Sequence, residues 1–201
     1  MNSTLRTRTP VVLGAVWLGL AIALGASGKL QTMRPPAPQL LLVGLTLALL
    51  LALAVSSRIR AWAWSIPVRG LVSLHLLRYV GICFLLLYRN GQLPYAFAVP
   101  GGWGDILVAT SAALLLLSGP PSTPGRCVAY IAWNGLGLLD ILLVVGTAAR
   151  LGLADPESMR ALFRLPLSLV PTFLVPLIIA SHVVLAIRLT RGAAAQSAEA
   201  L

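Results

Sequence analysis

Residues 70–88 read GLVSLHLLRYVGICFLLLY, and this stretch decides the fold class. Nearly all of its side chains are apolar, and its length suits one helical crossing of a bilayer, which takes about 20 apolar residues. His75 and Arg78 interrupt the run, so two polar side chains lie where the surrounding sequence favours lipid. The stretch therefore predicts a membrane-spanning helix that carries a polar site.

The composition of the whole chain is that of a membrane protein. Of its 201 residues, 58% are hydrophobic and 10% are charged, against roughly 25% charged residues in an ordinary soluble domain. The formal net charge is +10. The basic residues fall between apolar segments, so they indicate membrane topology and not a nucleic-acid-binding face. The partner that the composition predicts is the lipid bilayer.

Six segments are long and apolar enough to cross a bilayer as helices. They are residues 11–27, 39–55, 70–88, 103–118, 127–149 and 166–190. The segments predict an all-α, polytopic transmembrane helical bundle that forms one integral membrane domain over residues 1–201. Because the second segment follows closely, we expect the first to be a retained span and not a cleaved signal peptide.

The basic residues also predict a location and an orientation. All but one of them are arginine, which is typical of a GC-rich bacterial gene and favours the bacterial cytoplasmic membrane. With six spans, and Arg78 left out as intramembrane, eight lysine and arginine residues fall toward the side of the N-terminus and six toward the other side. The positive-inside rule then predicts that both termini lie in the cytoplasm.

Charged residues within spans need partners, because each costs at least about 2.5 kcal/mol at a helix centre. Arg78 lies nine residues from Arg69, and Asp140 lies ten residues from Arg150. At 1.5 Å per residue, both are about 14 to 15 Å from a membrane face, near the midplane. This matching depth predicts an ion pair between Arg78 and Asp140.

Two more polar residues complete the predicted intramembrane polar cluster of Arg78, Asp105, Asn134 and Asp140. Asn134 lies within the fifth predicted span. Asp105 follows the sequence PGGWG at residues 100–104, and the alternative to a role in the cluster is that it caps the start of the fourth helix.

The two histidines are candidate ligands of a b-type haem or of a metal ion. His75 lies six residues after Arg69, and His182 lies six residues before Arg188. Both are therefore about 9 Å from the same face of the membrane. Two imidazoles at one depth on different helices match what axial ligation of a haem requires.

Prolines at 166, 171 and 176 punctuate the last span. An interior proline lacks the N–H group and leaves the carbonyl four residues earlier without its helical donor. The last span is therefore predicted to bend, with other groups binding the freed carbonyls.

Three stretches carry a resemblance to known proteins: GQLPYAFAVPGGWGDI at 91–106, AWNGLGLLDI at 132–141 and LPLSLVPTFLVPLIIASHVVLAIRL at 165–189. Over about residues 70–190 the chain resembles an uncharacterised family of small bacterial multi-pass membrane proteins. The resemblance implies a helical inner-membrane bundle. It implies no activity, cofactor or catalytic residue.

Three functional hypotheses follow from the polar residues. The first is an accessory or structural membrane subunit, in which the polar groups only hold helices together. The second is a small-solute or proton-coupled transporter, in which the same groups form a polar path. The third is a haem- or metal-binding redox protein. The sequence carries no hydrolase, P-loop or dinucleotide motif and does not indicate an enzyme. A homo-oligomer or a membrane-protein partner is compatible with all three.

Overall fold

The computed structural model describes the backbone of residues 3–199 and the side chains of residues 9–191. Within residues 3–199 the chain forms helices and no strand. Six helical stretches are long and apolar enough to cross a membrane, and we number them spans 1 to 6: Thr9–Ala26, Ala37–Val55, Val68–Arg89, Tyr95–Ser118, Pro124–Ala154 and Val170–Arg191. The prediction of an all-α polytopic bundle with six spans is confirmed.

The helical elements follow the spans closely. The α-helices are α1 (Ser3–Ala26), α2 (Lys29–Thr32), α3 (Ala37–Val55), α4 (Ser57–Ser65), α5 (Val68–Ser73), α6 (Gly81–Arg89), α7 (Tyr95–Ser118), α8 (Pro124–Ala154) and α9 (Val175–Glu199). Two stretches, Leu74–Val80 and Pro156–Phe163, are 3-10 helices, and Val170–Leu174 is a π-helix.

Large apolar side chains are exposed along the spans, as Leu40, Leu51, Leu107, Leu117 and Leu136 illustrate. In a soluble protein, exposed apolar surface on this scale would favour aggregation or association. Lipid covers such surface in a multi-pass membrane protein, which agrees with the six apolar helices.

Span 4 begins eight residues earlier than residue 103, where the sequence predicts its start. Helix α7 starts at Tyr95 and includes Pro100. The glycines after Pro100 suggest a loop, but membrane helices tolerate Pro and Gly where neighbouring groups bind the freed backbone. The alternative in which Asp105 caps this helix is wrong, because Asp105 lies ten residues inside it.

Span 3 is interrupted at its polar residues. Helix α5 gives way at Leu74 to the 3-10 helix, which continues to Val80 before α6 begins at Gly81. In a 3-10 helix, side chains three residues apart lie directly above one another. His75 and Arg78 therefore share one face of this segment.

The chain forms two compact units. The first comprises Met1–Ile66 and Ala148–Ala180, and in it α1 packs against α4 and the π-helix. Pro176 has no N–H group to donate to the carbonyl oxygen of Thr172, four residues earlier. The indole Nε1 of Trp17 donates to that oxygen instead, at 3.0 Å. The ring of Trp17 also lies 4.7 Å from that of Phe173, centroid to centroid.

The second unit comprises Pro67–Thr147 and Ser181–Leu201. In it α7 packs along the 3-10 helix Leu74–Val80 and α6. The closest approach involves two glycines, since a Cβ atom added to Gly81 would lie 2.5 Å from the carbonyl oxygen of Gly102. Helices α7 and α8 are joined by Trp133, whose Nε1 donates to the carbonyl oxygen of Val108 at 3.2 Å.

Candidate functional site

Arg78 is the centre of a buried charged cluster in the second unit. Its side chain is inaccessible to solvent, and three of its donors point to different partners. Nε donates to Oδ1 of Asp105 at 2.6 Å, and Nη1 donates to the carbonyl oxygen of Gly137 at 2.9 Å. Nη2 donates to Oδ2 of Asp140. One guanidinium thus connects the 3-10 helix of span 3 with α7 and α8.

The two carboxylates of the cluster differ in accessibility. The side chain of Asp105 is 4% exposed, whereas that of Asp140 is 24% exposed. With both carboxylates ionised, the cluster of Arg78, Asp105 and Asp140 holds one positive and two negative charges. A buried charge without compensation is strongly unfavourable. The arrangement therefore favours the uptake of one further positive charge, such as a proton.

Small residues on α7 allow the charged side chains to meet. A Cβ atom at Gly104 would collide with the carboxylate of Asp140. Gly102 lies against Gly81 on span 3, which brings the helix that carries Asp105 close to the segment that carries Arg78. Gly102 and Gly104 of the sequence PGGWG thus lie inside α7 and let it pack closely at the site.

Both histidines lie in a second polar group beside this cluster, and both are fully buried. Nε2 of His75 lies 3.1 Å from Oγ of Ser181. Nδ1 of His182 lies 2.9 Å from Oδ1 of Asn134, and Nδ2 of Asn134 donates to the backbone carbonyl oxygen of His182 at 3.1 Å. The ring centroids of His75 and His182 are 4.2 Å apart, and the rings of His75 and Trp133 pack in a T-shaped arrangement with their centroids 5.0 Å apart.

The predicted residues therefore separate into two groups. Arg78, Asp105 and Asp140 form the charged cluster, whereas Asn134 binds His182 and makes no hydrogen bond to Arg78 among those the structure describes. Sequence reasoning missed the carbonyl of Gly137, because a backbone acceptor leaves no mark in the side-chain pattern. It also missed Ser181, although Ser181 directly precedes a candidate histidine.

The haem hypothesis does not fit this arrangement. Axial ligation needs a macrocycle between the two imidazoles, but the rings of His75 and His182 contact each other directly. Within the part of the chain whose side chains are described, no group of three or more His, Cys, Asp or Glu side chains is arranged to hold a metal ion.

Comparison with known proteins gives a family but no activity. A family model described as "Domain of unknown function (DUF8737)" matches residues 10–190, which is most of the chain. No curated protein and no solved structure matches the chain significantly. The functional evidence therefore lies in the residues of the chain itself.

Proposed function

The chain belongs to the DUF8737 family, whose function is unknown, and we propose that it moves protons across its membrane, alone or together with a small solute. The observation that carries the proposal is the unequal charge of the buried cluster, where two carboxylates share one guanidinium. A site with one surplus negative charge inside a bilayer favours binding of a single proton. Intramembrane Asp, Arg and His residues are characteristic of proton paths.

The interruption of span 3 supports the same proposal. Arg78 lies in the 3-10 helix Leu74–Val80, between two α-helical stretches. A 3-10 stretch within a longer helix often marks a hinge, and transporters commonly place their binding sites at discontinuous helices. The charged cluster therefore lies at a candidate hinge of span 3.

The proposed location is the bacterial cytoplasmic membrane, with both termini in the cytoplasm. Support for it comes from the arginine-rich composition and from the excess of basic residues on the side of the N-terminus. Six short spans enclose little space, so the proposal includes a homo-oligomer or a membrane-protein partner as the transporting assembly.

Proton flux into liposomes tests the proposal. Purified protein is reconstituted with a pH-sensitive dye in the lumen, and a potassium gradient with valinomycin imposes the membrane potential. We expect flux above that of empty liposomes, and a return to the empty level in Asp105→Asn and Asp140→Asn. The matched control is Glu157→Gln, which removes an exposed carboxylate. Wild-type flux equal to that of empty liposomes, for protons alone and for each solute tried with a proton gradient, would refute the proposal.

A structural or accessory role is the second candidate, and one observation favours it. Each of the three donor nitrogens of Arg78 is bound by protein, which suits a clamp between spans as well as a binding site. In that case wild-type protein gives no flux, and the aspartate variants lose only thermal stability and the yield of folded protein. Measuring flux and stability on the same samples separates the two roles.

A further inference from the structure

The histidine pair holds two buried nitrogen atoms that the described protein does not bind. Nδ1 of His75 and Nε2 of His182 are inaccessible and have no hydrogen-bond partner, although each ring is held through its other nitrogen. A buried polar atom without a partner is costly, so each such atom in a native protein calls for an explanation. Both atoms belong to rings that contact each other, which indicates that the two rings act together as one site.

The protonation of His182 follows from its partners. The backbone carbonyl of His182 can only accept, so the amide group of Asn134 must turn its Nδ2 donor toward it. Oδ1 of Asn134 then faces Nδ1 of His182, and because this oxygen can only accept, Nδ1 must carry hydrogen. In the neutral ring, Nε2 is therefore a bare acceptor.

The bare edge of His182 faces the residue that binds Arg78. A Cβ atom added to Gly137 would lie 2.8 Å from Cε1 and 3.2 Å from Nε2 of His182. The carbonyl oxygen of the same Gly137 accepts from Nη1 of Arg78. His75 lies three residues before Arg78 and on the same face of the 3-10 helix. Each histidine therefore lies next to a residue of the charged cluster or to a residue that binds it: His182 beside Gly137, and His75 beside Arg78.

We propose that His75 and His182 together form a second binding site for one proton, alternative to the carboxylates of Asp105 and Asp140. The proposal rests on the proposed function and deepens it. In one state an O–H bond exists on a carboxyl group and both imidazoles are neutral. In the other, that O–H bond is broken, an N–H bond forms on one imidazole, and both aspartates are carboxylates. Total charge is unchanged and no co-reactant is needed.

The surrounding charges limit the pair to a single proton. Arg78 on the same segment repels an imidazolium, whereas Asp105 of α7 and Asp140 of α8 attract it. Because the charged cluster has one surplus negative charge, one imidazolium makes the whole group neutral. A second imidazolium against the first, beside the guanidinium, would leave a net positive charge buried in the span region.

The chain offers a clean test, since it contains two histidines and both lie in this pair. Protein labelled with ¹⁵N in histidine alone is reconstituted in lipid, and its nitrogen spectrum is recorded as the pH is lowered. We expect the Nδ1–H form of His182 near neutral pH, and on acidification one imidazolium per two rings. Rings that both stay neutral until the protein unfolds, or a total of two imidazolium rings per pair, would overturn the proposal.

The variant Asp140→Asn removes the surplus negative charge while keeping the shape of the side chain. At the same pH it is expected to show at least tenfold less imidazolium than wild type. Glu157→Gln, on the exposed surface, is expected to leave the spectrum unchanged. An unchanged imidazolium signal in Asp140→Asn would overturn the proposal. If that variant does not fold, the wild-type proton count decides alone.

The histidine spectra and the flux experiment test the two proposals separately. Proton flux with two permanently neutral imidazoles would keep the proposed function and remove the histidine site. One imidazolium per pair without any flux would remove transport and keep the proton site.

Discussion

Gly81 and Gly102 bring two spans into backbone contact beside the charged cluster. A Cβ atom added to Gly81 would lie 2.5 Å from the carbonyl oxygen of Gly102. A Cβ atom added to Gly102 would lie 2.8 Å from the carbonyl oxygen of Gly81. Real Cβ atoms do not approach a carbonyl oxygen this closely, so the backbone would have to move. The contact fixes the distance between the segment of Arg78 and the helix of Asp105.

Gly81→Ala is therefore expected to lower the free energy of unfolding in detergent by about 1–3 kcal/mol, the usual cost of overpacking. The matched control is Gly135→Ala on α8, where an added Cβ meets nothing within 4 Å. That change is expected to be neutral or to stabilise by about 1 kcal/mol, because alanine favours a helix over glycine. Equal losses in both variants would contradict the close contact.

Arg78→Met is expected to destabilise the protein by about 3–5 kcal/mol, because it leaves the buried carboxylate of Asp105 and the partly exposed carboxylate of Asp140 without their cation. Asp140→Asn should cost less after Arg78 is removed than before, with a coupling energy of about 0.5–3 kcal/mol in a double-mutant cycle. Thermal or denaturant unfolding in detergent measures each corner of the cycle. Additive losses would show that the two side chains do not interact.

The ion pair of Arg160 with Glu157 is the control for this cycle. Its atoms are 2.8 Å apart, but the two side chains are 47% and 66% exposed. Exposed pairs contribute about 0–1 kcal/mol. Glu157→Gln should therefore change stability little, with or without Arg160.

Trp17→Phe is expected to cost about 1 kcal/mol, because it removes the N–H donor to Thr172 but keeps an aromatic ring against Phe173. In a Pro176→Ala background, residue 176 regains a backbone N–H that can bind the same carbonyl. The cost of Trp17→Phe should then shrink. Unfolding measurements on the four proteins of this cycle check the expectation, and an unchanged cost would mean that proline does not create the need for the indole.

Cysteine labelling in cells tests the proposed orientation. Ser122 lies in the connection between spans 4 and 5, and Glu157 lies in that between spans 5 and 6, and both are exposed. In a background without Cys83 and Cys127, a membrane-impermeant maleimide should label Glu157→Cys from outside and Ser122→Cys only after lysis. The reverse pattern would place the termini outside.

Apolar runs were sufficient to predict six spans, because lipid imposes length and composition on each helix. Counting residues from the flanking arginines also predicted that Arg78 and Asp140 lie at the same depth in the membrane, and in the structure the two side chains form an ion pair. The partnership of Asp105 was not predictable, since Pro100 and its glycines resemble a loop until their packing against Gly81 is known. The state of His182 depends on a backbone carbonyl and on the rotation of one amide, neither of which the sequence pattern encodes.

Because the two aspartates of the charged cluster differ in exposure, one of them can be modified chemically without the other. Hydrophobic carbodiimides react with protonated carboxyl groups, and a reagent that approaches from the surface can reach a side chain that is 24% exposed but not one that is 4% exposed. Modification should therefore concentrate at Asp140 and spare Asp105. Covalent labelling of Asp140 would then report, in native membranes, whether the carboxyl group of this one residue is protonated.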